Sequence, residues 1–319
     1  MNKVVTVIGG GPAGMSCALW LKHLKFSPIL IEKSKKLGGL QTISPFHNKW
    51  YLGVPGQTGM ELAKQFNRHI ELEVIPTLFN SQVKRITPGN NFQIFTDKHE
   101  ITAKSIVIAT GQRFKGYESI ESIAGSQELL SSPNVCFNPG AVPIVHGQKV
   151  AVVGGGDNGL GTASILTDTA QHIHLFVRSQ FQGFSMNQKA VCDQIKSGKI
   201  TLHKPAFIQR FKLQGDNISI TFKVENQPEE EVLVNYICFR LGFAPNVEDI
   251  IKLFDRGGIG CLELNQGEYI TTDRFLRTSI PNVYAAGDVT NYRDPCVATA
   301  VAQGAIAARS VESDLRSDD

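Results

Sequence analysis

The chain has 319 residues, 42% of them hydrophobic and 19% charged, the make-up of an ordinary soluble globular protein with room for two domains. Its net charge of +3 (32 basic, 29 acidic residues) is too small to argue for nucleic acid, and no apolar stretch approaches the ~20 residues of a membrane span. The first apolar run stops at Gly9 after five residues, too short for a signal peptide, so a cytoplasmic protein is expected.

Val4–Ile8 reads as a strand, Ala13–Lys25 as a helix and Pro28–Glu32 as a second strand, which makes a βαβ unit. Between its first strand and helix lies Gly9-Gly-Gly11-Pro-Ala-Gly14. In such a fingerprint the first glycine allows a tight turn, the second lets backbone approach a pyrophosphate, and the third lets helix pack on strand. The phosphates sit at a helix N-terminus, where unpaired N–H groups and the dipole favour negative charge. Glu32 follows Gly14 by 18 residues, in register to accept hydrogen bonds from ribose hydroxyls. Gly38-Gly39 offers another close backbone approach to a ligand. Half-buried strands are expected at 82–86 and 92–96, with Pro88-Gly89-Asn90-Asn91 as the turn between them.

Ser105–Ala109 reads as a buried strand ending in Thr110-Gly111, and Gly116–Gly147, rich in Gly, Ser and Pro, as a linker. A second βαβ unit begins at Lys149 and carries a second fingerprint, Gly154-Gly-Gly156-Asp-Asn-Gly159, 145 residues after the first. Its helix is expected near Gly159–Thr169 and its next strand at His172–Arg178, with further strands at 200–203, 217–224 and 233–240. Two fingerprints, each between a strand and a helix, point to two nucleotide ligands. Gly242-Phe-Ala-Pro245-Asn246 breaks the pattern, Val283–Ala286 is one more apolar strand ending in Gly287-Asp288, and the tail from about Val297 to Leu315 is helical in period. This last segment has no fingerprint of its own and most economically completes the first domain. The second nucleotide domain is then an insertion, with crossings near 112–118 and 241–247.

The six cysteines are Cys17, Cys136, Cys192, Cys238, Cys261 and Cys296; the closest two are 23 positions apart (261 − 238). There is no Cys-x-x-Cys and no zinc-type pair, so no metal is expected, and the spacing suits reduced thiols.

With these motifs placed, the chain resembles thioredoxin reductase-type flavoproteins, the low-molecular-weight branch of the pyridine nucleotide–disulfide oxidoreductases. The resemblance runs end to end through Val7-Ile-Gly-Gly-Gly-Pro-Ala-Gly14, Glu32, Gly38-Gly39-Leu40-Gln41, Ile108-Ala-Thr-Gly111, Val152-Val-Gly-Gly-Gly156, Gly242-Phe-Ala-Pro-Asn246 and Thr278-Ser-Ile-Pro-Asn-Val-Tyr-Ala-Ala-Gly-Asp288. It implies an α/β protein of two Rossmann-like, three-layer ββα domains. The FAD-binding one spans 1–114 and 245–319, and the NAD(P)-binding-like one, 115–244, is inserted in it. It implies FAD, with Gly9, Gly11, Pro12, Ala13 and Gly14 at the pyrophosphate, Glu32 at the adenosine ribose, and the Val83 backbone at the adenine. Asp288, after Gly287, matches the ribityl-binding aspartate. Gly39, Leu40 and Gln41, with Cys296 and Val297 at the start of the last helix, lie close to the isoalloxazine, and Ala109, Thr110 and Gly111 join the cofactor set. The resemblance also implies a homodimer and, for the second nucleotide, Gly154, Gly156, Asp157, Asn158 and Gly159.

The chain departs from that family in two places. Where the redox Cys-x-x-Cys belongs, it reads Cys136-Phe-Asn-Pro139-Gly, so the first cysteine is kept and the second is proline. One thiol cannot form the intramolecular disulfide that dithiol exchange needs, which leaves Cys136 as a catalytic candidate by itself and argues against ordinary thioredoxin reduction. Where family members clamp the NADPH 2′-phosphate with several arginines, only Arg178, followed by Ser179, survives. NADPH is favoured over NADH, and use of neither stays open. An added feature is Trp50-Tyr51, expected near the flavin either as packing or as a stacking platform.

The expected function is an FAD-dependent oxidoreductase that passes electrons from NAD(P)H through flavin to a small redox protein or small-molecule acceptor, without a dithiol of its own. The alternatives are a ferredoxin–NADP reductase-like enzyme, a ferredoxin- or flavin-coupled reductase that ignores NAD(P)H, and a non-catalytic flavoprotein.

Overall fold

The computed structural model describes residues 3–138, 140, 144–225, 227–290 and 293–316. The chain divides into two compact units, one of Met1–Arg113 with Pro245–Asp319 and one of Phe114–Ala244. In chain order the first segment holds β1 (Val4–Ile8), α1 (Pro12–His23), β2 (Ser27–Ile31), α2 (Gly59–Leu72), β3 (Thr77–Leu78), β4 (Val83–Thr87), β5 (Phe92–Thr96), β6 (Glu100–Ala103), β7 (Ser105–Ile108) and β8 (Gln112–Phe114). The middle one holds α3 (Ser126–Leu129), β9 (Val135–Cys136), β10 (Lys149–Val153), α4 (Asp157–Leu166), β11 (His172–Phe176), α5 (Ser185–Lys196), β12 (Ile200–His203), β13 (Ala206–Gln214), β14 (Asn217–Val224), β15 (Glu229–Val234), β16 (Tyr236–Phe239) and β17 (Phe243–Pro245). The last holds α6 (Glu248–Arg256), β18 (Val283–Ala285) and α7 (Val297–Arg316).

The outer unit is built on a five-stranded sheet in the order β18-β7-β1-β2-β3, with every described pairing parallel. Such a sheet is buried on both faces, and its strands alternate between two apolar environments. Val5, Val7 and Val107 face α1 and α7, whereas Ile8, Ile106 and Ile108 face the antiparallel sheet β4-β5-β6 through Ile86, Ile94 and Ile101. Each of these side chains contributes roughly 1.5–3 kcal/mol by leaving water. α1 starts at Pro12, whose fixed φ suits a first helical position. α7 crosses α1 closely because Gly304 lies where any Cβ would strike the Ala13 carbonyl oxygen.

The inserted unit repeats the plan. Its parallel sheet runs β12-β11-β10-β16-β9. Val150 and Val152 pack with Leu160 and Ala163 of α4 on one face, and Ala151 and Phe176 pack with Ile220 and Phe222 of the antiparallel β13-β14-β15 sheet on the other. Both units are therefore three-layer α/β structures of Rossmann type. The two crossings pair with each other as β8 and β17.

Two sequence expectations change. The 116–147 stretch is no plain linker, because β9 adds an edge strand to the parallel sheet, too short at two residues to leave a period. The single strand expected at 233–240 is two strands in different sheets. They part at Asn235, whose backbone N–H donates to Lys149 O and whose Oδ1 accepts from the Lys149 N–H, each at 2.8 Å.

Candidate functional site

At the C-terminal end of β1 the three fingerprint glycines serve different ends. Gly9 has φ +111°, and a Cβ there would collide with the Ala109 carbonyl; a Cβ at Gly14 would collide with the Gly9 carbonyl. Gly11, by contrast, has ordinary extended dihedrals, and a Cβ there would meet nothing within 4 Å. The fold explains the first and third glycines but not the second, which opens onto space before α1. That helix has no side-chain cap and no acid in its first turn, so its N-terminal N–H groups and dipole face that space uncompensated.

The crevice is closed by neighbours that touch the fingerprint in turn. Glu32, 8% exposed, accepts the Gly10 N–H at 2.8 Å with one carboxylate oxygen and the Ser34 N–H at 2.7 Å with the other. A carboxylate accepts at about four positions, so half its capacity remains. Gly38 donates its N–H to Gly10 O at 2.8 Å, and Gly39 places its Cβ direction 3.3 Å from Gly11 Cα. Leu40 and Gln41 follow, half-buried, in a 3₁₀ turn. Ser81 donates to Glu32 O at 3.0 Å, which anchors the entry to β4 at the buried Val83. Ala109 donates to Ile8 O at 2.8 Å. Thr110 and Asn246 bond reciprocally, with Thr110 Oγ1 donating to Asn246 O at 2.8 Å and Asn246 Nδ2 to Thr110 O at 2.9 Å. Gly111, at φ +66°, again has open space where a Cβ would be.

From the far side, Gly287 packs on Ala13, and Asp288 follows it. One Asp288 oxygen accepts from Gln112 Nε2 at 3.2 Å; the other is buried with no partner among the described residues. Burial pushes the Asp288 carboxyl up to about 6, held back in part by the Gln112 hydrogen bond. The Tyr269 phenol is raised by burial and then by the Asp288 charge. Cys296 precedes α7: its N–H donates to Thr299 Oγ1 at 3.2 Å, its thiol is exposed, and Val297 is buried behind it. Gln112 is the site residue that sequence reasoning missed. Its only signal was its place just after Thr110-Gly111.

The second fingerprint has the same division of labour. A Cβ on Gly154 would strike the Arg240 carbonyl, one on Gly159 would strike the Gly154 carbonyl, and Gly156 has open space. Here, however, Asp157 in the first turn of α4 accepts from the Phe184 N–H at 2.7 Å and Asn187 Nδ2 at 2.8 Å, and the Gln182 N–H donates to Gly155 O at 2.8 Å. Residues 182–187, which lead into and begin α5, are thereby tied to the turn. Asn158 is half-buried beside it, and Arg178 is exposed.

Cys136 is buried at the end of β9. Its thiol bonds Asn138 O at 3.0 Å, its carbonyl accepts from Arg240 Nη1 at 3.2 Å, and Cys238 is its register partner on β16. Pro139 lies outside the described residues. Tyr51 meets Phe66 edge-on at 6.0 Å, while Trp50 is 62% exposed. No group of three or more metal-ligating side chains occurs among the described residues, and no helix there is long and apolar enough to cross a membrane.

The crevice lies at the carboxyl ends of parallel strands, where open α/β sheets bind ligands. Gly11 and Gly111 leave room for one, and the buried Asp288 oxygen needs a donor, which fits a dinucleotide with a polyol chain. Comparison with known proteins agrees with that geometry. Residues 3–304 match the pyridine nucleotide-disulphide oxidoreductase family. The chain is 28% identical over 325 residues to thioredoxin reductase of Escherichia coli O157:H7, covering 98% of this chain and 95% of that one. It is 27% identical over 297 residues to a ferredoxin–NADP reductase of Ligilactobacillus salivarius, covering 90% and 84%. The crystal structure of Lactococcus lactis thioredoxin reductase superposes with a TM-score of 0.84 at 25% identity, over 99% of this chain and all of that one. The chain thus belongs to the pyridine nucleotide-disulphide oxidoreductase family and is an FAD-dependent, thioredoxin reductase-like oxidoreductase of a family that uses NADPH.

Proposed function

We propose that the protein moves electrons from NADPH through FAD to an external acceptor without a redox dithiol of its own. The carrying observation is the thiol inventory: the sequence holds no Cys-x-x-Cys, all six cysteines are free, and Cys136 is buried beside its register partner Cys238 with its thiol bonded to Asn138 O. FAD, when bound, supplies a ring that takes up a pair of electrons and releases them singly or together.

This chain's residues hold and tune it. Gly9, Gly11, Pro12, Ala13 and Gly14 with the α1 N-terminus take the pyrophosphate. The unused acceptor capacity of Glu32 takes the adenosine ribose, and the backbone at Val83 the adenine. Asp288, presented by Gly287, accepts from the ribityl chain. Gly39, Leu40, Gln41 and the Ala109–Thr110–Gly111 turn line the path. α7, begun by Val297 just after Cys296, has no acid in its first turn, so its dipole favours negative charge gathered near it. Gly154, Gly156, Asp157, Asn158 and Gly159 would hold the NADPH pyrophosphate, and Arg178 its 2′-phosphate through a bidentate contact. The acceptor is a small redox protein or small molecule, and the working form is a homodimer.

A second reading, electrons arriving from reduced ferredoxin rather than NADPH, is favoured by the commitment of Asp157 to Phe184 and Asn187 at the start of α5 and by the single guanidinium at Arg178. Anaerobic mixing separates the two. Fast bleaching of the yellow protein by NADPH supports the first; slow bleaching by NADPH and NADH but fast bleaching by reduced ferredoxin selects the second. A Cys136→Ser variant with undiminished turnover is expected, and loss of turnover would show that the thiol takes part.

A further inference from the structure

Gln112 and Asp288 lie 176 positions apart and meet inside the outer unit, joined by one hydrogen bond from Gln112 Nε2 to an Asp288 carboxylate oxygen at 3.2 Å. A carboxylate only accepts, so the amide must turn its NH2 toward Asp288, and this fixes where its carbonyl goes. Among the described residues that carbonyl oxygen is buried with no partner, and so is the second oxygen of Asp288. Gln112 is 7% exposed. Two orphaned acceptors on two hydrogen-bonded side chains are unusual in a folded interior, where buried polar atoms are almost always satisfied. Nothing in the protein supplies the missing donors among the described residues. Beside them, Gly111 leaves open the space a Cβ would fill.

We propose that Gln112 is a positioning residue of the flavin site, which holds the Asp288 carboxylate in place and itself accepts a hydrogen bond from a hydroxyl of the cofactor's polyol chain. The inference rests on the FAD reading above and deepens it. The paired acceptors ask for two hydroxyl donors close together on one ligand. A ribityl chain provides this; a flavin bearing only a methyl group at that position does not. Gln112 thereby acts twice, through Asp288 and directly.

The test uses apoprotein titrated with FAD and with FAD analogues that each lack one ribityl hydroxyl, following flavin fluorescence. Wild type is expected to bind two of the analogues about 10-fold more weakly than FAD, one for each acceptor. Gln112→Met keeps the shape and removes both hydrogen bonds. It should bind FAD about 10- to 100-fold more weakly and lose discrimination against one analogue while keeping it against the other. Such coupling between residue and hydroxyl is not produced by a merely structural role, whose losses would add. Gln112→Leu, which also lacks both hydrogen-bonding groups, should lose the same discrimination and serves if Gln112→Met does not fold. Tight FAD binding by Gln112→Met, or equal losses for FAD and every analogue, overturns the inference while leaving the FAD reading intact. A wild-type apoprotein that takes up no FAD removes the parent reading and this one with it.

Discussion

Replacing Asp288 by Asn should make the apoprotein more stable and the cofactor weaker, a pairing of signs that simple damage cannot produce. Burial raises the Asp288 carboxyl from 3.8 to about 6. A folded pKa above the unfolded one means that the folded state prefers the protonated form. Its contribution is fully present below pH ~4 and is lost as pH rises through 6. At pH 8 the buried carboxylate therefore costs about 3 kcal/mol, from a displacement of roughly two units at 1.36 kcal/mol each. Asn has the same shape and no charge. The Asp288→Asn apoprotein should accordingly gain up to about 3 kcal/mol at pH 8, or ~6–12 °C in melting temperature for a unit of this size, and nothing near pH 4. Against FAD it exchanges a charge-assisted acceptor for a neutral one, which should weaken binding about 5- to 30-fold. The assay is thermal unfolding of apoprotein at pH 4, 6 and 8, paired with FAD titration. A variant less stable than wild type at pH 8, or one with undiminished FAD affinity, would refute the reasoning.

Other substitutions test the same logic from different sides. Gly11→Ala should melt like wild type as apoprotein yet bind FAD at least ~10-fold more weakly, because its Cβ meets only ligand space, whereas Gly14→Ala should lose about 3 kcal/mol of stability against the Gly9 carbonyl. Equal melting temperatures for the two would contradict this. With a thiol-disulfide reagent on native protein, the exposed Cys261 and Cys296 should react first. Cys17, Cys136 and Cys238 should wait for unfolding, since all three are buried and burial pushes Cys17 upward and Cys238 up to about 12; fast labelling of any of these on peptide mapping counts against the packing. His174 and His203 are each pulled down to about 4, mainly by burial, with His203 stacked on Phe176 at 4.6 Å. These folded values lie below the unfolded 6.5, so stability should be full above that pH and decline toward 4. A melting curve flat from pH 7 to 4.5, or unchanged in slope in His203→Gln, would show that the pair is not responsible.

Legibility in the sequence followed range. Each fingerprint is local: an apolar run, three spaced glycines and a helix start within about fifteen residues, so the strand–turn–helix geometry and the open middle glycine could be read directly. Glu32 was equally accessible because strand length fixes its distance from Gly14. What escaped depends on short or distant features. β9 has two residues and no period to detect, and the split at Asn235 depends on bonds to Lys149, 86 positions earlier. Helix α2 does carry a local sign, Thr58 and Glu61 spaced as a capping box, which the structure forms. Gln112 could not have been found in this way. Its meaning comes from Asp288, brought to it only after the inserted unit has intervened.

The central claim is that electrons leave the flavin outward, with no internal disulfide to receive them. Anaerobic dithionite titration of the FAD-loaded protein, monitored by flavin absorbance, tests it most directly. Complete bleaching after two electrons per flavin is the predicted result. A requirement for four, with a second pair taken up alongside the flavin, would reveal a redox-active cystine within the chain and contradict the account.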